Sequence, residues 1–145
     1  MSADVRPPSV LLDTCAVIWL ADGAPIEEGA LAAIAHAAGA DGVLVSPISA
    51  WEIGLLSRPR AGRGMTFLPD PATWFARVLA APSIRLAPFT PGIAIAASHL
   101  PEPLHGDPAD RLLIATARAL AVPIVTRDSK IIAFGAAGHV AVVAC

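Results

Sequence analysis

Short apolar runs alternate along this chain with longer segments in which alanine and leucine recur at helical spacing. "SVLLD" at 9–13 and "GVLVS" at 42–46 are nearly unbroken apolar stretches ending on a polar residue. That is the pattern of strands buried on both faces. A strand near "IRLAPF", one at 123–126 in "PIVTRD" and a last one in "HVAVV" complete the set. "AVIWLAD" predicts a short helix. "IEEGALAAIAHAAG" predicts a second, with acids in its first turn, where the helix dipole favours negative charge, and Gly39 near its end. Ser46-Pro47, Asp70-Pro71, Thr90-Pro91 and Asp107-Pro108 each join a capping side chain to a proline at the first helical position. They predict helices in "PISAWEIGLLS", "PATWFARVLAA", "PGIAIAASHL" and "PADRLLIATARALA", and "SKIIAF" predicts one more. Strands alternating with helices in this way specify an α/β fold with a central, mostly parallel sheet and helices on both faces. No repeat or linker divides residues 1–145, so one domain is expected, with an ordered core at about 9–143.

Composition narrows the class. Hydrophobic residues make up 55% of the 145, enough for a sizeable core, and charged residues only 15%. No apolar run of the length a membrane span needs is free of Gly, Pro, His or charge. "MSADVRPPSV" lacks the basic-then-apolar layout of a secretory leader. A soluble, cytoplasmic protein without membrane contact is expected. The net charge of −2 is not that of a general nucleic-acid binder. Arg58, Arg60 and Arg63 nevertheless crowd into "SRPRAGRG", either as a solvated loop or as a patch that meets phosphate. Cys15 and Cys145 belong to no zinc or disulfide pattern, and Cys15 reads as a small buried hydrophobe. The high mean hydropathy predicts an apolar surface covered by a partner or a second copy.

The acids carry the chemistry. Asp13, Glu52, Asp107, Asp110 and Asp128 lie inside or beside strongly apolar segments, where surface acids are uncommon. Asp13 follows the first strand and Asp128 sits just past "PIVT", at the strand ends where parallel sheets bind ligands. Asp107 and Asp110 open one helix, and Glu52 lies in another between Trp51 and Ile53. Each has a plain structural reading. Asp107 and Asp128 suit helix caps, Asp110 suits a first helical turn, and Asp13 suits a turn. If they share a cleft, two carboxylates about 5 Å apart repel by roughly 3 kcal/mol at an effective dielectric of 20. Protons or a cation must then relieve the crowding. An all-oxygen donor set favours Mg²⁺ or Mn²⁺ over zinc. A water on such an ion is a nucleophile for phosphodiester hydrolysis.

"VLLDTCAVIWL", "SPISAWEI", "GDPADRLLIATA" and "VTRD" resemble, in order and spacing, the acidic motifs of PIN-domain nucleases. Within that family the chain is similar to the VapC-like toxins of bacterial type II toxin–antitoxin pairs. The resemblance spans nearly the whole chain. It implies a single PIN-like domain acting as an Mg²⁺- or Mn²⁺-dependent endoribonuclease. Asp13, Glu52, Asp110 and Asp128 match the family's acidic quartet, and Asp107 the extra acid of a subgroup. Asp13, Asp107, Asp110 and Asp128 are then the metal ligands, with the choice between Asp107 and Asp110 as nearer ligand left open. Thr14 and Thr126 match hydroxyls that bond to metal-bound waters or ligands, and Arg111, beside the quartet, reads either as a phosphate contact or as a solvated helix-start arginine. His105 reads as structural. The resemblance also implies a homodimer, a small VapB-like antitoxin covering the groove, and RNA as substrate. Two other readings stand beside it. One is a catalytically silent PIN-like module binding RNA or a partner. The other is a haloacid-dehalogenase-like phosphatase using Asp13 as nucleophile, which wants a second Asp where Cys15 stands.

Overall fold

The computed structural model describes residues 6–59, 64–102, 104 and 106–145. Arg60 and Arg63 of the arginine loop, and His105, lie outside the described residues. Five strands form one sheet: β1 (Ser9–Leu12), β2 (Gly42–Val45), β3 (Ile84–Leu86), β4 (Ile124–Thr126) and β5 (Val142–Ala144). The helices between them are α1 (Thr14–Asp22), α2 (Glu28–Ala38), α3 (Pro47–Leu56), α4 (Pro71–Ala80), α5 (Pro91–Ala97), α6 (Pro108–Leu120) and α7 (Ser129–Ala136). The expected elements are thus all present, with ends shifted by a few residues.

Every strand pair is parallel, and the order across the sheet is β3-β2-β1-β4-β5. The chain runs outward from β1 through β2 to β3, then returns to the other side of β1 for β4 and β5. The reversal opens a crevice above the carboxyl ends of β1 and β4, the usual ligand site of open parallel sheets. The register there is tight, with Leu12 opposite Val125 and the amide of Asp13 donating to the carbonyl of Val125 at 3.0 Å.

Because side chains alternate along a strand, the inner strands β1, β2 and β4 feed two cores. Val10, Leu12, Val43, Val45 and Val125 pack under α1, α2 and α4, with Ile53 of α3. Leu11 and Ile124 face the opposite way, against α5, α6 and α7. Full burial of each such side chain contributes about 1.5–3 kcal/mol. That two-sided burial accounts for the continuous apolar runs in the sequence.

All four residues preceding a helix-starting proline act as caps. The side chains of Ser46, Asp70, Thr90 and Asp107 accept from the amides of Ile48, Thr73, Ile93 and Asp110. Proline has no N–H to leave unsatisfied at that position, so the pair fixes each helix start. Helix α1 ends at Gly23, whose φ of 68° is the left-handed conformation that glycine adopts without strain. No helix among the described residues is long and apolar enough to cross a membrane.

Candidate functional site

The centre of the site is Asp13, the first residue past β1 and the N-cap of α1. It is only 8% exposed, so its carboxylate needs partners. Oδ1 accepts the amide of Thr14 at 2.7 Å, and Oδ2 accepts the hydroxyl of Thr126 at 2.7 Å. Thr126 ends β4 and is fully buried. Its oxygen also accepts the amide of Asp128 at 3.0 Å, which orients the turn into α7. The carboxylate of Asp128 caps α7, accepting from the amides of Lys130 (2.8 Å) and Ile131 (3.2 Å).

Helix α3 presents the second half. Ser46, Ser49 and Glu52 recur every three residues and so share a face. Ser49 is fully buried and its Oγ lies 2.9 Å from the hydroxyl oxygen of Thr14. That same hydroxyl donates to Oε1 of Glu52. Thr14 therefore binds both acids: its amide holds Asp13 and its side chain holds Glu52. At the start of α6, Asp107 accepts the amide of Asp110 at 3.2 Å. Asp107 is exposed, whereas Asp110 is 8% exposed.

Asp13, Glu52, Asp107, Asp110 and Asp128 all line one cleft of about 860 Å³ above the switch point of the sheet. Burial pushes the Asp110 carboxyl up to about 7, helped by the charges of Asp107, Asp13, Asp128 and Glu52. Burial likewise raises Asp13, outweighing its bonds to Thr126 and Thr14, with Asp128 and Asp107 adding to the rise. Glu52 is raised by burial, against the bond from Thr14. The capping roles and the shared cleft thus hold together: Asp107 and Asp128 cap helices and face the same space as Asp13. Among the described residues, no three Asp, Glu, His or Cys side chains form a ready-made metal cage.

Two residues depart from expectation, and two others carried none. Arg111 is half-buried, and its Nε donates to the carbonyl of Ala97 at 3.0 Å. It ties α6 to α5, because the helical turn that points Asp110 into the cleft points its neighbour elsewhere. Cys15 is exposed and lines the cleft, where a buried position was expected. Partial burial of its sulfur, then the charges of Asp13, Glu52, Asp110 and Asp128, push the thiol up to about 11. Arg127 lies within "VTRD" but has no assigned role in the sequence, yet it lines the cleft beside Trp19. Ser49 was also missed. The one signal for it was its spacing, three residues before Glu52 in an otherwise apolar helix.

An acid-lined crevice at the switch point of a five-stranded parallel sheet defines a class, and comparison with known proteins agrees. Residues 10–136 match the PIN domain family, and the chain belongs to it. It is 34% identical over 124 residues to Ribonuclease VapC22 of Mycobacterium tuberculosis, covering 85% of this chain and 89% of that one. In fold it is similar to VapBC2 from Rickettsia felis, solved bound to a DNA fragment from their promoter. That likeness has a TM-score of 0.65 at 14% identity, over 94% of this chain and 98% of the other. It is also similar to VapBC-5 from Mycobacterium tuberculosis, a member of a family of toxin–antitoxin systems. There the TM-score is 0.60 at 17% identity, over 96% of this chain and all of the other.

Proposed function

We propose that this protein is an endoribonuclease that hydrolyses RNA phosphodiester bonds as the toxin of a toxin–antitoxin pair. The observation that carries the reading is the meeting of five carboxylates, from four separate parts of the chain, in one cleft. The kinship to a ribonuclease gives that cleft its substrate class.

The donor set fits Mg²⁺ or Mn²⁺. It offers mainly carboxylate and hydroxyl oxygens, with one thiol, that of Cys15, on the cleft wall. Carboxylates that share a cleft without closing into a cage suit Mg²⁺, which keeps several of its waters. Asp13, Asp110, Asp107 and Asp128 would hold the ion, directly or through water. When bound, such an ion supplies an activated water and neutralises charge building on the phosphoryl group. Thr126 and the Thr14 amide fix the rotamer of Asp13. Thr14 aims Glu52 at the cleft, where its carboxylate orients the attacking water for in-line displacement. The products are a 5′-phosphate and a 3′-hydroxyl. Burial raises Asp110 to about 7 with the neighbouring carboxylates adding to the rise, and that added repulsion is what a cation would relieve.

A small antitoxin and a second copy of the chain are the proposed partners. Leu55 and Leu56 line the acid cleft, while Trp51, one turn before Leu55, is 54% exposed. Met65, bonded through its amide to the carbonyl of Leu56, is 40% exposed. Apolar side chains at the mouth of a charged cleft suit a partner that covers both.

The test is cleavage of RNA by purified protein with Mg²⁺ or Mn²⁺, with and without EDTA. Asp13→Asn and Asp110→Asn are expected to abolish cutting while the fold persists. Parental rates in either variant, or full activity in EDTA, would overturn the assignment.

A further inference from the structure

An acidic floor repels the strand it must cut, so RNA needs cations on either side of it. The described residues supply three. Arg58, just past α3, and Arg127, between β4 and α7, line the acid cleft itself. Lys130, the one lysine among ten Lys and Arg residues, lines an adjoining recess with Asp107, Asp110, Asp128 and Ser129. Their placement follows the strand order. Asp13 tops the central strand, Arg58 comes from the β2 side of it, and Arg127 and Lys130 come from the β4 side.

Arg127 is held in advance. Its guanidinium stacks on the Trp19 ring at 3.8 Å. Its Nε donates to the carbonyl of Cys145 at 2.9 Å and Nη2 to that of Pro25 at 3.3 Å. Two of an arginine's five N–H donors are thereby used, and the residue remains exposed. A charged fork fixed before binding loses little rotamer entropy when an oxyanion arrives. Lys130 and Arg58 are exposed as well. Resting on the nuclease reading above, we propose that Arg127 and Lys130 on one side of the acidic floor, and Arg58 on the other, bind the phosphates flanking the scissile bond. An RNA strand then lies along the carboxyl edge of the sheet, across the tip of β1. These three are substrate-positioning residues, separate from the acids.

The experiment measures binding of a short labelled single-stranded RNA in EDTA over a range of salt. Arg58→Ala, Arg127→Ala and Lys130→Ala are each expected to weaken binding. Each should also lower the slope of log affinity against log salt by about 0.7, one phosphate contact on a single strand. Arg77→Ala, an exposed change on α4, is expected to match the parent. In cleavage, Lys130→Ala should raise KM with kcat nearly unchanged, as lost uniform binding does. Arg127 also anchors Cys145, next to β5, so Arg127→Ala risks unfolding. Lys130→Ala and Arg58→Ala, both exposed, decide the matter in that event. Parental affinity and slope in those two overturn the proposal, as does a parent that binds no RNA. A parent that binds with the expected salt slope but cuts nothing with Mg²⁺ or Mn²⁺ overturns the nuclease reading and leaves the basic rim standing. A parent that cuts, with variants that bind as it does, overturns the basic rim and leaves the nuclease standing.

Discussion

The hydroxyl of Thr126 donates to Oδ2 of Asp13 at 2.7 Å, joining residues 113 positions apart at the tips of two neighbouring parallel strands. This buried bond makes Asp13 a fixed acid where a mobile one would otherwise sit. It also explains why a threonine closes a strand whose other residues are Ile and Val.

Thr126→Val keeps the shape and β-branching and removes the donor. It is expected to cost about 1–3 kcal/mol, the penalty for leaving a buried acceptor short of a partner. RNA cleavage should fall with it, since Asp13 loses its orientation. Denaturant melts and cleavage rates on the same sample check both effects, and an unchanged rate would detach Thr126 from the chemistry.

The raised acids set a pH dependence. Asp110, raised to about 7, and the raised Asp13 and Glu52 bind protons more tightly folded than unfolded. Their protonated forms therefore favour the fold below the unfolded carboxylate pKa of about 4. That contribution is lost as pH rises through each group's raised folded value, about 7 for Asp110. In EDTA the protein is expected to be more stable near pH 5 than near pH 8 as far as these groups go. Asp110→Asn should flatten the profile. Adding Mg²⁺ near pH 8 should restore stability, by about 2.7 kcal/mol at a hundredfold excess over its Kd. Urea melts at the two pH values, with and without the ion, measure all three effects.

Asp107 and Asp128 each cap a helix and face the cleft. Serine caps about as well as aspartate but carries no charge. Asp107→Ser and Asp128→Ser are therefore expected to keep the parental melting temperature. Cleavage or metal affinity should fall about 10–100-fold, as for groups that support a metal site. Thr90→Ala is the converse control, costing about 0.5–2 kcal/mol through the lost α5 cap with no change in specific activity. Equal activity in the two serine variants would reduce both acids to caps.

Gly135 lets α7 lie against β5. A Cβ there would come within 2.5 Å of Val142 Cγ2 and 3.1 Å of the Val140 carbonyl. Gly135→Ala is expected to destabilise by about 1–3 kcal/mol through overpacking. Adding Val142→Ala should return part of it, and a double-mutant cycle on melting free energies checks the coupling.

Element by element, the sequence carried most of the architecture. The inner strands β1, β2 and β4 are read from apolar runs because both their faces are covered, and each of four helices from its cap and proline because those signals act within four residues. It also singled out five acids as a group, since carboxylates among apolar residues need a reason, and the fold brings them to one cleft. Local pattern could not say which way a side chain faces once helices are packed. Arg111 and Asp110 are neighbours in sequence, yet one reaches α5 and the other the cleft. Cys15 follows a buried pair and is itself exposed. Arg127 had no assigned role in the sequence, and only the fold brings Trp19, Pro25 and Cys145 around it.

The sequence by itself determined the order of strands and helices, the caps, and the identity of the acids, because these depend on hydrophobic period and short-range hydrogen bonding. Only the tertiary structure decided the strand order β3-β2-β1-β4-β5. That order sets the tips of β1 and β4 side by side and shapes the cleft. It also fixed the Thr126–Asp13 and Thr14–Glu52 bonds and the rise of Asp110 to about 7. Distance and desolvation set those quantities, and both arise only when segments far apart in the chain pack together.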